Sequence, residues 1–156
     1  MNYVTLFPEN QLLVGVKILD IKVSWAGEAL FIGKSTTGHK VLMDGPSEGG
    51  GHDLGPRPME MLLLGTGSCS CYDVLSILKK SRQDVVACEV EISSKRAITE
   101  PKVFTNIHIH FKVTGIDLKK KQVERAVLLS AEKYCSASIM LGATAKITHT
   151  FKILDA

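Results

Sequence analysis

Between Pro58 and Arg82 the sequence is apolar on nearly every side of a helix, and no other feature narrows the available folds as much. Met61, Leu62, Leu63, Leu64, Cys69, Tyr72, Val74, Leu75, Ile77 and Leu78 leave no continuous polar stripe. A helix on a protein surface keeps one polar face, whereas a helix apolar all round is covered by other elements or by a partner subunit. Pro58 and Glu60 suit its start, and Lys79, Lys80 and Arg82 suit its end, because proline fits the first turn and charges of these signs complement the helix dipole. A chain of 156 residues, 45 % of them hydrophobic, makes one ordinary domain. Such a domain is too small to leave this helix bare, so a homodimer is expected. The longest stretches without a charged residue, Met61–Tyr72 and Tyr134–Ala145, are twelve residues each. Both fall short of the ~20 apolar residues that cross a bilayer, and no membrane partner is expected. Gly65 and Gly67 soften the middle of the helix at about 1 kcal/mol each relative to alanine, and Cys69 follows directly.

The remaining elements follow from periodicity. Val16, Ile18, Ile21 and Val23 read as a first strand, Leu30-Phe31-Ile32 as a second after the Ala26-Gly27 turn, and Lys40–Met43 as a third. Residues 45–58, with five glycines and three prolines, form a crossover loop. Gly33-Lys34-Ser35 lacks the earlier glycine of a P-loop, and Gly65-Thr66-Gly67 lacks the third glycine of a dinucleotide fingerprint. Val86, Cys88, Val90 and Ile92 alternate with polar or small residues over 85–98. Ile107, Ile109, Phe111 and Val113 do the same over 102–114, which makes a hairpin closed at Thr99-Glu100-Pro101. His108 and His110 fall on its polar face as solvated side chains. A second helix runs over 118–135 with Asp117 as its cap. Ser136 or Ser138 starts a short further piece through Leu141, and Lys146–Leu154 is the last strand. The order β-β-β-α-β-β-α-β over residues 1–156 is a single α+β domain with mostly antiparallel sheets.

The formal charge of +3 is too mild to argue for nucleic acid. No GxxG loop and no aromatic platform is present, so RNA is not an expected partner. The first twenty residues carry Glu9, Lys17 and Asp20 and no basic start, which points to the reducing cytoplasm. Four cysteines, Cys69, Cys71, Cys88 and Cys135, include no CxxC and none at zinc-finger spacing from a histidine, so no metal is expected. Cys71 lies two residues from Cys69 and therefore on another side of the helix, and Cys88 lies on the apolar strand face. Cys69 sits in the glycine-softened helix. Cys135 sits at a junction where backbone N–H groups of a following helix lower a thiol pKa. Position alone leaves two readings open: a functional Cys69–Cys135 pair, or four buried cysteines.

The stretch Gly55–Cys69 with Tyr72–Leu78 resembles the first cysteine helix of the OsmC/Ohr family, the osmotically inducible and organic hydroperoxide resistance proteins. Ala131–Ser138 resembles that family's second cysteine motif. Gly38–Gly45 and Arg82–Val86 are most similar to its YhfA-like branch. The resemblance implies an OsmC-like fold, with antiparallel sheets wrapped around two long central helices in an intertwined homodimer. It also implies a cysteine-based thiol peroxidase acting on a small apolar organic hydroperoxide in oxidative-stress defence. Cys69 would be peroxidatic and Cys135 resolving, with an external dithiol as reductant and neither metal nor organic cofactor. Cys69 is expected in the tight, buried part of its helix and Cys135 where movement is easier. Peroxidase members place an arginine on an early strand and a glutamate directly after the helix-starting proline. Here no arginine precedes Arg57, and Glu60 stands one place later, so Arg57 and Glu60 are expected as the supporting pair. The competing implication is a non-catalytic small-ligand or redox-sensing OsmC-like protein.

Overall fold

The strict alternation along the strand Phe104–Ile116, in which Ile107, Ile109, Phe111 and Val113 are buried and His108, His110 and Lys112 are not, fixes one face of a sheet against helices. The computed structural model describes residues 19–156. Val16 and Ile18 of the expected first strand therefore lie outside the described residues. The elements are β1 (Lys22–Gly27), β2 (Leu30–Lys34), β3 (Lys40–Met43), α1 (Pro58–Lys80), β4 (Asp84–Arg96), β5 (Phe104–Ile116), α2 (Lys120–Leu129), α3 (Ser136–Gly142) and β6 (Lys146–Asp155). They fall into two compact units, one ending at Arg57 and one running from Pro58 to Ala156.

The first unit is an antiparallel meander, β1-β2-β3. Its first turn needs positive φ at Gly27 (109°) and Glu28 (46°). The glycine-rich loop after β3 is organised by the buried Asp44 carboxylate. It accepts backbone N–H bonds from Gly45 and His52 at 2.8 Å and from Leu54 at 3.1 Å. These amides supply the partners that a buried carboxylate requires. Gly51 passes so close to the Gly45 carbonyl that no Cβ fits.

The second unit is a sheet in the order β4-β5-β6 with three helices. β4 and β5 form the expected antiparallel hairpin, but β6 runs parallel to β5. The chain returns to the starting end of β5 through α2 and α3, and a helical crossover of this kind produces a parallel neighbour. Val86 was expected on the inner face of β4, yet it is 63 % exposed. A bulge between Val85 and Ala87 ejects it and puts Val85, Cys88, Val90 and Ile92 against the core. Asp117 does not cap the second helix. It occupies a turn at φ 49°, and α2 starts after Lys119, whose N–H donates to Gln83 Oε1 at 2.9 Å. The helix expected over 118–135 also ends early, at Leu129.

Among the described residues there are three α-helices, of which only α1 is long, so the described part of one chain supplies one long helix and not two. Length and composition alone let α1 cross a bilayer, with a mean hydropathy of 1.4 over its best window. One arc of it packs into the core of the second unit. Thr66, Gly67, Ser70, Val74 and Leu78 are buried along one arc, facing the sheet and α2. Gly67 permits that approach, since a Cβ there meets Ile92 Cδ1 at 3.1 Å. The opposite arc carries Leu62, Leu64 and Tyr72, exposed by 48 %, 55 % and 72 %.

The core makes a contrast that denaturant unfolding can read. Phe111→Ala removes a ring that is 0 % exposed and should cost about 3–5 kcal/mol, whereas Val86→Thr on the ejected bulge should cost under about 0.5 kcal/mol. Equal effects would contradict the bulge.

Candidate functional site

Helical spacing places Cys69 at the edge between the two arcs of α1, about 100° round from the buried Ser70. Asp73, one turn on, shares the Cys69 face. The second cysteine arrives by a less regular route. After α2 the chain makes a single π turn over Ser130–Tyr134, closed by Cys135 N–H donating to the Ser130 carbonyl at 3.0 Å. Such turns insert one extra residue and recur at functional sites. Cys135 itself is extended (φ −73°, ψ 96°) and caps α3 with its sulfur, which accepts from Ser138 N–H at 3.4 Å. The sequence favoured Ser136 or Ser138 as that cap. The cysteine takes the position because the π turn ends on it.

The two sulfurs and an Asp73 carboxylate oxygen lie within 4.8 Å of one another, and both thiols are free. Three buried serines frame them. Ser70 Oγ donates to Cys135 Sγ at 3.1 Å and lies 3.3 Å from Ser138 Oγ. Ser130 Oγ lies 3.3 Å from both the Ser70 carbonyl and Asp73 Oδ2. A protonated Cys135 points weakly at the Thr66 carbonyl, 3.9 Å away.

The two thiols ionise in opposite directions. Burial and the neighbouring Cys135 push Cys69 up, the Asp73 charge adds to this, and a backbone N–H bond from Ala137 only partly offsets it. Burial also pushes Cys135 up. The Ser138 and Ser70 hydroxyls, the Ser138 N–H and Cys69 together overbalance it, so Cys135 is lowered. Cys135 is thus the more acidic thiol of the pair and Cys69 the less acidic.

The expected burial is reversed as well. Cys135 is 0 % exposed, locked as a helix cap rather than free to move, while Cys69 is only partly buried. Cys69 sits on the α1 edge and not on its inner arc, which explains its access. Cys71 is turned to β4, with its thiol 3.6 Å from the Cys88 carbonyl. Burial, then Cys71, pushes Cys88 up to about 12, which suits an inert strand cysteine. His108 and His110 are tied to Thr148 and Thr150 on β6 at 2.8–2.9 Å. Glu60 stands nine residues before Cys69, about 13 Å along the α1 axis, and Arg57 ends the first unit. Asp73 was not singled out in the sequence, although its i, i+4 spacing from Cys69 was the available signal.

The family model described as OsmC-like protein matches residues 50–150. The chain belongs to that family. Protein YhfA of Escherichia coli K12 is 49 % identical over 138 residues, which span 88 % of this chain and 100 % of that protein. A hypothetical protein from Aquifex aeolicus shares 30 % identity at a TM-score of 0.79, covering 90 % of this chain and 99 % of the other. An organic hydroperoxide resistance protein OsmC from Legionella pneumophila superposes at a TM-score of 0.67 with 17 % identity, over 88 % of this chain and 98 % of that one. At that identity the likeness extends to the fold. The two cysteines of this OsmC-like chain thus stand in an OsmC-like frame.

Removing the Ser70 hydroxyl should raise the Cys135 pKa. A hydrogen bond to a charged acceptor carries ~1.5–3 kcal/mol and one pKa unit is ~1.4 kcal/mol, so Ser70→Ala should move the first thiolate midpoint up by about one unit. Ultraviolet thiolate absorbance against pH, in a Cys71→Ser/Cys88→Ser background, reads it. An unmoved midpoint would remove Ser70 from the ionisation of the pair.

Proposed function

We propose that this OsmC-like protein is a cysteine-based thiol peroxidase reducing small organic hydroperoxides. The observation that carries the reading is the juxtaposition of a partly exposed thiol, Cys69, with a second, buried thiol, Cys135, their sulfurs within 4.8 Å of each other. In this reading the reacting form of the pair is the less favoured one, with the proton on Cys135 and the thiolate on Cys69. The Cys69 thiolate attacks the terminal oxygen of the hydroperoxide, the O–O bond breaks, and the alkoxide leaves with the proton from Cys135. Cys69 is then a sulfenic acid and Cys135 a thiolate. Cys135 attacks the Cys69 sulfur, hydroxide departs, and a disulfide closes. An external dithiol restores both thiols by exchange, as the reducing cytoplasm allows. The organic hydroperoxide resistance proteins that share the fold support the substrate class by analogy.

Arg57 and Glu60 are assigned a supporting role at the α1 end, in place of the early-strand arginine of peroxidase members. The chain is further proposed to act as a homodimer, because the α1 arc bearing Leu62, Leu64 and Tyr72, with Ile139 and Met140 on α3, leaves large apolar groups exposed. The raised Cys69 pKa favours one other reading, a redox-sensing or ligand-binding protein without turnover.

Intact-mass spectrometry after cumene hydroperoxide separates these roles. The wild type should lose two hydrogens and release one alcohol per chain. Cys135→Ser should still release one alcohol per chain and climb to sulfinic acid at higher peroxide. Cys69→Ser should release no alcohol, Cys71→Ser and Cys88→Ser should behave as wild type, and Arg57→Ala should slow the reaction without changing its stoichiometry. No oxidation of the wild type would select the non-catalytic reading.

Light scattering on a sizing column should report twice the mass of one chain at micromolar concentration. A folded monomer there would sink the dimer.

A further inference from the structure

Asp73 has no part in the peroxide chemistry above, yet it completes a donor set around the two sulfurs. We propose that Cys69, Asp73 and Cys135 form a binding site for a thiophilic divalent cation of the zinc(II) class, occupied only while the cysteines are reduced. The three donor atoms already lie within 4.8 Å of one another. Tetrahedral zinc, with Zn–S near 2.3 Å and Zn–O near 2.0–2.2 Å, needs donor–donor edges of about 3.5–3.8 Å. A contraction of at most about 1.3 Å along any edge closes the triangle, within reach of side-chain rotation. Cys69 and Asp73 are one turn apart on a single helix face, so α1 presets two of the three donors. Ser130 Oγ, 3.3 Å from Asp73 Oδ2, orients that carboxylate as an outer partner, an arrangement that commonly tunes metal sites.

The chemistry of the donors selects the ion. Two thiolates disfavour magnesium and calcium, while thiolates with one carboxylate suit zinc. Three protein ligands leave the fourth position to water or a small anion, which is the pattern of an open site rather than a structural one. Both cysteines bind as thiolates, so metal binding releases the protons they carry. Both sulfurs are then engaged, and peroxide finds no free thiolate. A Cys69–Cys135 disulfide in turn leaves no thiolate for the metal. Zinc and hydroperoxide therefore exclude each other at this site. Cysteine-histidine spacing rules cannot find it, because one ligand arrives 62 positions further along the chain than the nearer of the other two, brought there by the π turn.

Reduced, metal-free full-length protein titrated with zinc chloride against a chromogenic chelator should bind one ion per chain. Cobalt(II) in its place should give the intense visible bands of a tetrahedral site and sulfur-to-cobalt charge transfer. Asp73→Asn should weaken zinc at least tenfold, and Cys69→Ser or Cys135→Ser at least a hundredfold, while Cys71→Ser and Cys88→Ser should bind as wild type. Protein carrying the disulfide, made with a soluble disulfide oxidant, should bind none. Circular dichroism checks that each variant is folded, and Asp73→Asn, the mildest change, carries the test should Cys135→Ser unfold. Weak or non-stoichiometric binding, an octahedral cobalt spectrum, or unchanged affinity in Asp73→Asn would overturn the site. Hydroperoxide consumption by the metal-free protein is read separately, so zinc binding without peroxide turnover would keep this site and remove the peroxidase reading.

Discussion

Helix α1 has to bury one arc and cannot bury both. Val74 and Leu78 enter the core with Phe111, Ile109 and Val113, and the small residues Thr66, Gly67 and Ser70 let the helix lie close to its neighbours. That rotation also decides the chemistry. Ser70 is fixed inward, where its hydroxyl meets Cys135, and Cys69 is left at the boundary where a small molecule can reach it. The packing that holds the second unit together therefore sets the unequal acidity of its two thiols. A rotation of α1 by some tens of degrees would remove the hydroxyl from the sulfur and bury or expose Cys69.

The other half of the site depends on one irregular turn. An uninterrupted helix from Lys120 would carry Cys135 onward as an ordinary helical residue. The π turn over Ser130–Tyr134 stops it, and Cys135 caps the following helix with its sulfur. Backbone N–H groups at a helix start lack carbonyl partners within the helix. Here Ser138 N–H is satisfied by a sulfur, and the sulfur is made more acidic in return. Ser130 begins the π turn and also reaches Asp73, so the turn that delivers the cysteine steadies the carboxylate beside it.

Much of this was legible in the residues. Strand alternation in β5 reads directly into burial because a two-residue period has only two faces. The glycine-softened apolar helix marked α1, and the two cysteine motifs marked the family. What failed to read out has consistent causes. Val86 has the character of an inner residue, but a bulge shifts the period, and a bulge depends on cross-strand pairing rather than on the bulged residue. Asp117 is a good cap by type, yet the chain turns at that point with positive φ and starts the helix later.

The sequence by itself determined the element order, the inner face of the central strand, the choice of Cys69 and Cys135 as candidates and the place of Cys88 on an apolar strand face. These follow from periodicity, residue type and local spacing, all of which act over a few residues. Only the tertiary structure decided that β6 runs parallel, that Cys135 is the buried and more acidic thiol, and that Asp73 joins the pair. Each of those rests on groups far apart in the chain, as in the Ser70–Cys135 bond across 65 positions, the Ser130–Asp73 contact across 57 and the pairing of Asn106 with Lys146 across 40. A thiol's acidity is set by the donors and charges around it, and those neighbours are chosen by packing, not by the residues beside it in the chain.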